Sequence, residues 1–274
     1  MTSPAPLSLQ WSGLTDKGRF RANNEDAFLA LNFDARDVRH LGKTGTASLA
    51  TADFVFAVSD GMGGAKSGEF ASKIATDRIT RLLPRSFKQS ATGFTAGADD
   101  ILGELFTAIH ADLLSLGRSY EECRGMGATL TLCWFSPGIM HFGHVGDSRL
   151  YYQPANGTAQ QLTHDHSHVG WLRRNGKINE REARQHPQKS ALTQALGAGL
   201  ATIEPQIGTV IYEPGDRFIL CSDGIIDGYW DHALADLMRD GASAAQLVHG
   251  AIAEGSRDNA TALVVDVLPG VEGA

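Results

Sequence analysis

Short runs of apolar, often β-branched residues punctuate the chain at 54–59, 127–135, 139–145, 149–153, 217–222 and 261–267, and each predicts a strand. Several alternate in part. Leu130, Leu132 and Trp134 fall on one face, against Thr129, Thr131 and Cys133 on the other. Helical spacing is seen in fewer places. Phe70, Ile74, Ala75, Ile79, Leu82 and Leu83 share a face of a helix from about Gly68, which Pro84 is expected to stop. Ile101, Leu102, Leu105, Phe106, Ile109 and Leu113 form a second such face, with Asp99 and Asp100 at its positive end and Gly117 closing it. Ser243 reads as the cap of a third helix that turns Leu247, Val248, Ala251 and Ile252 inward.

Strands grouped together, with long helices between the groups, predict an α+β fold of mainly antiparallel sheets stacked between helical layers. No repeat, low-complexity tract or Pro/Ser-rich linker divides residues 1–274, so a single domain is expected. The polar stretch at about 165–189 reads as a surface excursion holding a short helix near 179–185. Asn179 and Glu182 there have the spacing of a capping box. The connection at about 32–53, with Gly42 and Gly45, reads as a surface loop and is assigned no function.

Composition narrows the class. A hydrophobic fraction of 42% and a charged fraction of 20% are those of a globular protein with a core. A formal charge of −7 argues against a nucleic-acid partner, which needs a basic face. Residues 1–14 lack the basic and apolar segments of a secretory signal, and no window approaches the roughly 18 apolar residues of a membrane span. Cys123, Cys133 and Cys221 are odd in number and form no CxxC pair, so no disulfide framework is indicated. The expectation is a cytoplasmic, soluble monomer with no membrane contact.

Acidic turns lie at or near the ends of the apolar runs: Asn24-Glu25-Asp26, Ser59-Asp60-Gly61-Met62-Gly63-Gly64, Val145-Gly146-Asp147-Ser148-Arg149 and Ser222-Asp223-Gly224, with Asp258-Asn259 just before the last run. Any one Asp-Gly is ordinarily a turn. Recurrence at strand ends changes that reading, because strand ends from distant parts of a chain can converge. Glycine neighbours also let backbone carbonyls approach a ligand. Carboxylates and carbonyls suit hard divalent cations, Mg²⁺ or Mn²⁺. Two such ions about 3.5–4 Å apart can generate a hydroxide nucleophile and stabilise in-line displacement at phosphorus.

In this order the motifs Arg21-x-x-Asn24-Glu25-Asp26, Asp60-Gly61-Met62-Gly63-Gly64, Gly125-Met126-Gly127-Ala128-Thr129, Val145-Gly146-Asp147-Ser148-Arg149, Ser222-Asp223-Gly224 and Asp258-Asn259 resemble those of bacterial protein phosphatase 2C. Leu162-Thr163-His164-Asp165-His166-Ser167, the stretch from Arg173 to Ile178, His186-Pro187 and Leu192-Thr193-Gln194-Ala195-Leu196-Gly197 are similar to the same family. The resemblance extends from about Leu14 to Val267.

It implies a four-layer αββα sandwich with the metal site at one end, between the two sheets. It further implies hydrolysis of phosphoserine and phosphothreonine by direct attack of a metal-bridging hydroxide, with no phosphoenzyme. Two core Mn²⁺ or Mg²⁺ ions would be held by Asp60, the Gly61 carbonyl, Asp223 and Asp258. Asp147, with Asp223, would hold a third, looser ion. Glu25 and Asp26 would orient metal-bound waters, Arg21 would grip the phosphate, and 165–189 would be a flap that influences substrate choice. Phosphorylated proteins, a Ser/Thr kinase and its targets among them, would be the partners. Met62 stands where many eukaryotic members carry a His proposed to protonate the leaving group, so the proton must come from water or another side chain.

Competing motifs are weaker. His164, His166 and His168 suggest zinc, but Ser167-His168 breaks the pattern of a metallo-β-lactamase-like site. Gly42-Lys43-Thr44 lacks the first glycine of a phosphate loop, since Asp37 occupies it. The cysteines lack the Arg six residues on that a cysteine phosphatase needs, and read as inert thiols. Arg149 reads equally as a tether of the Asp147 turn or as a solvated charge. The rival class is a non-catalytic phosphoprotein-binding module of the same fold, against which the intact set Asp60, Asp223 and Asp258 argues. A phosphatase of a small molecule or of one dedicated partner is the weaker enzymatic rival.

Overall fold

The computed structural model describes residues 6–34, 36–64, 67–91 and 97–270, with only the backbone course given for 84–91. In chain order the strands are β1 (Ser8–Asp16), β2 (Asp26–Phe33), β3 (Val38–His40), β4 (Thr44–Ser48), β5 (Asp53–Met62), β6 (Gly127–Ala128), β7 (Leu130–Ser136), β8 (Ile139–Val145), β9 (Arg149–Gln153), β10 (Gln160–Gln161), β11 (Leu196–Gly197), β12 (Gln206–Ile211), β13 (Arg217–Cys221) and β14 (Ala260–Leu268). The helices are α1 (Ser67–Ala91), α2 (Ala98–Ser119), α3 (His168–Arg174), α4 (Glu180–Gln185), α5 (Asp223–Gly228), α6 (Asp231–Arg239) and α7 (Ala244–Ala253).

The strands form two antiparallel sheets. One runs β10-β9-β13-β14-β1-β4; the other runs β11-β6-β5-β7-β8-β12, with β2 and β3 continuing beside β5. The apolar runs are continuous because both faces of the central strands are covered. On β5, Phe54, Phe56 and Val58 point between the sheets, while Val55 and Ala57 point to α1 and α2. On β13, Phe218 and Leu220 face inward, and Ile219 and Cys221 face α5–α7. Aromatic packing fills the middle layer, where Phe135 and Phe218 meet edge-on with centroids 5.1 Å apart. The result is the expected four-layer α+β sandwich.

Several expectations change in detail. α1 does not stop at Pro84 but continues to Ala91. Proline removes only one intrahelical hydrogen bond, and a helix already anchored on a sheet through Ala71, Ala75 and Ile79 tolerates that loss. Residues 32–53 are no mere loop. They complete β2, form β3 against it, and add β4 to the edge of the first sheet, where Gly45 lies under the Trp11 ring. The sequence of β4, TGTAS, is small and polar because an edge strand buries little. The run at 127–135 is broken at Thr129, and the run at 217–222 ends one residue early, with Ser222 opening α5 instead. Both breaks lie beside the acidic turns.

The capping expectations hold. Asn179 accepts from Glu182 N–H and Ser243 accepts from Gln246 N–H, each as part of a capping box. α2 carries Asp99 and Asp100 in its first turn, although it passes Gly117 to end at Ser119.

Candidate active site

Asp60 lies at the end of β5, in register with Asp26 of β2. Its backbone is clamped from both sides by Thr129: Asp60 N–H donates to the hydroxyl at 2.9 Å, and Thr129 N–H donates to the Asp60 carbonyl at 2.8 Å. The same hydroxyl is 2.6 Å from Ser148 Oγ, in the turn that carries Asp147. A residue hydrogen-bonded in this way cannot continue a regular ladder, which explains the break between β6 and β7.

Asp26 is buried, and its Oδ2 accepts from Ser222 Oγ at 2.7 Å and Thr261 Oγ1 at 2.6 Å. Ser222 in turn accepts from Thr261 N–H at 3.0 Å, so Asp26, Asp223 and the start of β14 are held as one unit. Glu25 accepts from Gly61 N–H through its carbonyl at 3.1 Å, and its own N–H donates to Asn259 Oδ1 at 2.8 Å. The Asn259 amide nitrogen donates to the carbonyls of Lys17 and Asn23, both at 2.9 Å. These contacts bring the turns at 24–26, 60–61, 223 and 258 together.

Two glycines are required by close approach. A Cβ on Gly61 would lie 1.9 Å from the Gly68 carbonyl, and one on Gly224 would lie 1.9 Å from the Asn259 carbonyl. Gly68 itself makes room for Glu25, whose Oε2 would be 2.1 Å from an added Cβ. The Glu25 carboxylate therefore rests beside the first turn of α1, where a negative charge is favoured.

The electrostatics are those of concentrated, uncompensated negative charge. Burial, then Asp26, Asp223, Asp147 and Asp258, hold the Asp60 carboxyl well above the ordinary carboxylate range. Burial, then Asp147, Asp258 and Asp26, do the same to Asp223. Burial pushes Asp147 up to about 7, with Asp165 adding to the shift and Arg149 opposing it. Asp26 is raised to about 6, chiefly by burial, against the pull of its two hydroxyl donors. Carboxylates that raise one another in this way cannot all ionise without a nearby cation. The Oδ1 atoms of Asp223 and Asp26 are buried without a hydrogen-bond partner.

A divalent ion fits this donor set. The donors are all oxygens, the charge is in surplus, and Asp223 Oδ1 has no partner. Among the described residues no three His, Cys, Asp or Glu side chains converge tightly enough to chelate an ion unaided.

Arg21 and Asp258 form an ion pair at 2.5 Å, with the arginine side chain half-exposed. Arg149 is a tether and not a solvated charge. Buried, it grips Asp165 with two hydrogen bonds, Nε to Oδ1 at 2.8 Å and one terminal nitrogen to Oδ2 at 2.6 Å, and it donates to Tyr151 Oη at 2.9 Å. Burial alone would raise Asp165, but Arg149 overrides it and holds that carboxyl below its usual range. The segment 165–189 thus packs against the Asp147 turn, through α3 and α4. A cavity of about 110 Å³ lies between them, lined by Asp147, Asp223, Arg173, Arg184 and Lys189 among others.

The histidines of this segment gather no zinc site among the described residues. His166 accepts from Gly146 N–H at 3.2 Å and stacks on His144, while His168 lies against His186. The three cysteines are free and buried, and burial pushes the Cys133 thiol up and that of Cys221 to about 12.

Sequence reasoning brought Thr129, Ser148, Ser222 and Asn259 into motifs without a role, and missed Gly68 and Thr261. A hydroxyl or glycine carries no local mark of the carboxylate it will face.

Two antiparallel sheets packed between helices, with acidic turns gathered at one end, define the class of fold and site. The chain belongs to the protein phosphatase 2C family, whose model, "Protein phosphatase 2C", matches residues 42–254. It is 31% identical over 268 residues to the serine/threonine protein phosphatase PstP of Mycobacterium tuberculosis, covering 96% of this chain and 46% of that protein. The chain thus spans about half the length of that relative. It is 30% identical over 257 residues to the serine/threonine phosphatase stp of Listeria welshimeri, covering 92% of this chain and 93% of that one. Among solved structures it is similar to the PstP catalytic domain in complex with two manganese ions, with a TM-score of 0.71, 28% identity, and coverage of 96% and 99%. No described helix is long and apolar enough to cross a membrane.

Proposed function

We propose that this chain is a Mn²⁺- or Mg²⁺-dependent phosphatase of phosphoserine and phosphothreonine in proteins. The observation that carries the reading is the group of mutually repelling carboxylates of Asp60, Asp223, Asp147 and Asp258, with Asp223 Oδ1 unpartnered and Arg21 at the edge. The names of the relatives, and the two manganese ions of the PstP complex, support it.

Asp60, the Gly61 carbonyl, Asp223 and Asp258 would hold the core ions. Asp147 and Asp223 would share a third. When bound, such ions lower the pKa of a water and neutralise charge that builds on the phosphoryl oxygens. The protein's own part is positioning. Glu25 and Asp26 would orient metal-bound waters by accepting hydrogen bonds from them. Asp26 is aimed by Ser222 and Thr261, and Asp60 by Thr129. Arg21 offers a planar fork suited to two phosphate oxygens. Its present partner, Asp258, belongs to the same cation site, so the carboxylate is shared between Arg21 and the ion it would hold.

The substrates would be phosphorylated proteins, including a Ser/Thr kinase and its targets, met in the cytoplasm by a monomeric, single-domain enzyme. The test is hydrolysis of a phosphothreonine peptide with Mn²⁺, before and after exhaustive chelation. Turnover that survives removal of the metal overturns the reading.

A further inference from the structure

The cations that line the site between the Asp147 turn and α3–α5 are engaged with carboxylates: Arg149 with Asp165, Arg173 with Asp231, Arg184 with Glu180 and Lys189 with Asp227. Arg257 is different. It is exposed, and although its backbone N–H donates to Asp227 Oδ2 at 3.2 Å, its guanidinium has no carboxylate partner among the described residues. Its guanidinium carbon instead lies 5.3 Å from the ring centroid of Phe20, itself 59% exposed. A single exposed aromatic is ordinary on a protein surface and marks nothing by itself; its contact with Arg257 is the informative feature. A ring held against a guanidinium limits the cation's motion without neutralising its charge.

The pair sits beside the phosphate anchor. Phe20 adjoins Arg21 and Arg257 adjoins Asp258, so two cross-links run side by side, Phe20 to Arg257 and Arg21 to Asp258. The turn at 16–21 is fastened in this position by Asn259, which donates to the Lys17 carbonyl at 2.9 Å, and by Gly18 (φ +74°), where a Cβ would lie 2.6 Å from the Asp258 carbonyl. Lys17 and Arg19 lie on this turn, exposed and likewise without a carboxylate partner among the described residues.

We propose that Phe20 and Arg257 form a substrate subsite for an acidic side chain within two residues of the phosphorylated serine or threonine, with the Phe20 ring as its apolar wall. An extended peptide advances about 3.3–3.6 Å per residue. A cation next to the phosphate anchor therefore meets the residues immediately flanking the phosphoresidue. The subsite rests on the phosphatase reading of Arg21, and it makes a basic flank unfavourable as well as an acidic one favourable.

The experiment uses the full chain with Mn²⁺ and phosphothreonine peptides identical except for Glu, Ala or Lys at the two positions on each side. The expected order of kcat/KM is Glu, then Ala, then Lys. An exposed charge contact and its repulsive counterpart together separate the extremes by about tenfold. Arg257→Gln should flatten the series, Arg257→Glu should invert it, and Phe20→Ala should raise KM for all three peptides. Turnover of para-nitrophenyl phosphate, which occupies only the phosphate position, reports whether the centre is intact in each variant. Equal kcat/KM across the series in the wild-type chain, or a preference that survives both Arg257 variants, overturns the subsite. If neither the peptides nor the aryl phosphate is turned over, the phosphatase reading fails instead. The subsite then stands or falls on the same peptides' affinities, measured by fluorescence anisotropy: Glu tighter than Lys, with the difference lost in Arg257→Gln, sustains it, and equal affinities overturn it.

Discussion

Arg21 donates to Asp258 Oδ2 at 2.5 Å, so a residue suited to phosphate and a residue suited to a cation neutralise each other across 237 positions of sequence. Each is the other's placeholder. Arg21→Ala should therefore weaken substrate binding more than the chemical step. Losing a charged hydrogen-bonding group costs about 1.5–3 kcal/mol, which corresponds to a roughly 10- to 100-fold loss in kcat/KM. Steady-state kinetics on a phosphopeptide would show it as a rise in KM, with partial recovery in Arg21→Lys. A loss confined to kcat would mean that Arg21 acts in some other way.

The acidic turns make a prediction of opposite sign for stability and activity. Asp223→Asn removes one of the mutually repelling carboxylates. The metal-free variant should melt above the metal-free wild type, because repulsion is relieved. It should also lose its melting shift on addition of Mn²⁺ and about 100-fold or more of its turnover. Melting curves with and without Mn²⁺ check both signs, and a variant that keeps the wild-type shift removes Asp223 from the ligand set.

Gly224→Ala tests the join between Asp223 and Asp258. Its methyl group would meet the Asn259 carbonyl at 1.9 Å, so the backbone must move. Overpacking of this kind costs about 1–3 kcal/mol. Chemical denaturation would register that loss, and the Mn²⁺ concentration for half-maximal activity should rise. Wild-type values of both would show that the close approach is not required.

His144 makes stability depend on pH. It is fully buried. Its Nε2 donates to the His164 carbonyl at 3.2 Å, and its Nδ1 accepts from the Thr131 hydroxyl at 2.8 Å. Burial, with His166 stacked alongside, pushes the imidazole down to about 3. The unfolded chain titrates near 6.5 and so binds a proton that the folded chain refuses. His144's contribution is thus complete above about pH 6.5 and is lost as the pH falls toward about 3. Between pH 7 and pH 5 the loss is about 2 kcal/mol. Urea denaturation at the two pH values should show the stability gap between wild type and His144→Gln narrowing by that amount as the pH is lowered. A constant gap would mean that His144 takes up protons in the fold just as it does in the unfolded chain.

Strong, continuous apolar runs were legible as strands because both of their faces are buried, as at β5, β8, β9 and β14. β1 and β2 were not. β1 dilutes its Leu9 and Trp11 with serine and glycine, and β2 opens on the acidic turn's own Asp26. β12 is largely half-exposed, and α5 hid behind an Asp-Gly pair that reads as a turn.

By itself, then, the sequence determined the kinds of elements, the order of the acidic turns and, through that order, the family. A strand's burial on two faces and a motif's spacing are local properties. Tertiary structure alone decided that Asp26 faces Asp60, that Thr129 clamps the Asp60 backbone while Ser222 and Thr261 hold the Asp26 carboxylate, and that Arg149 is buried on Asp165. It alone set Arg257 against Phe20 and Asp258 against Arg21. The physical reason is the same in each case. Desolvation, repulsion between like charges and the reach of a hydrogen bond depend on distances across the fold, and residues far apart along the chain carry no local record of them.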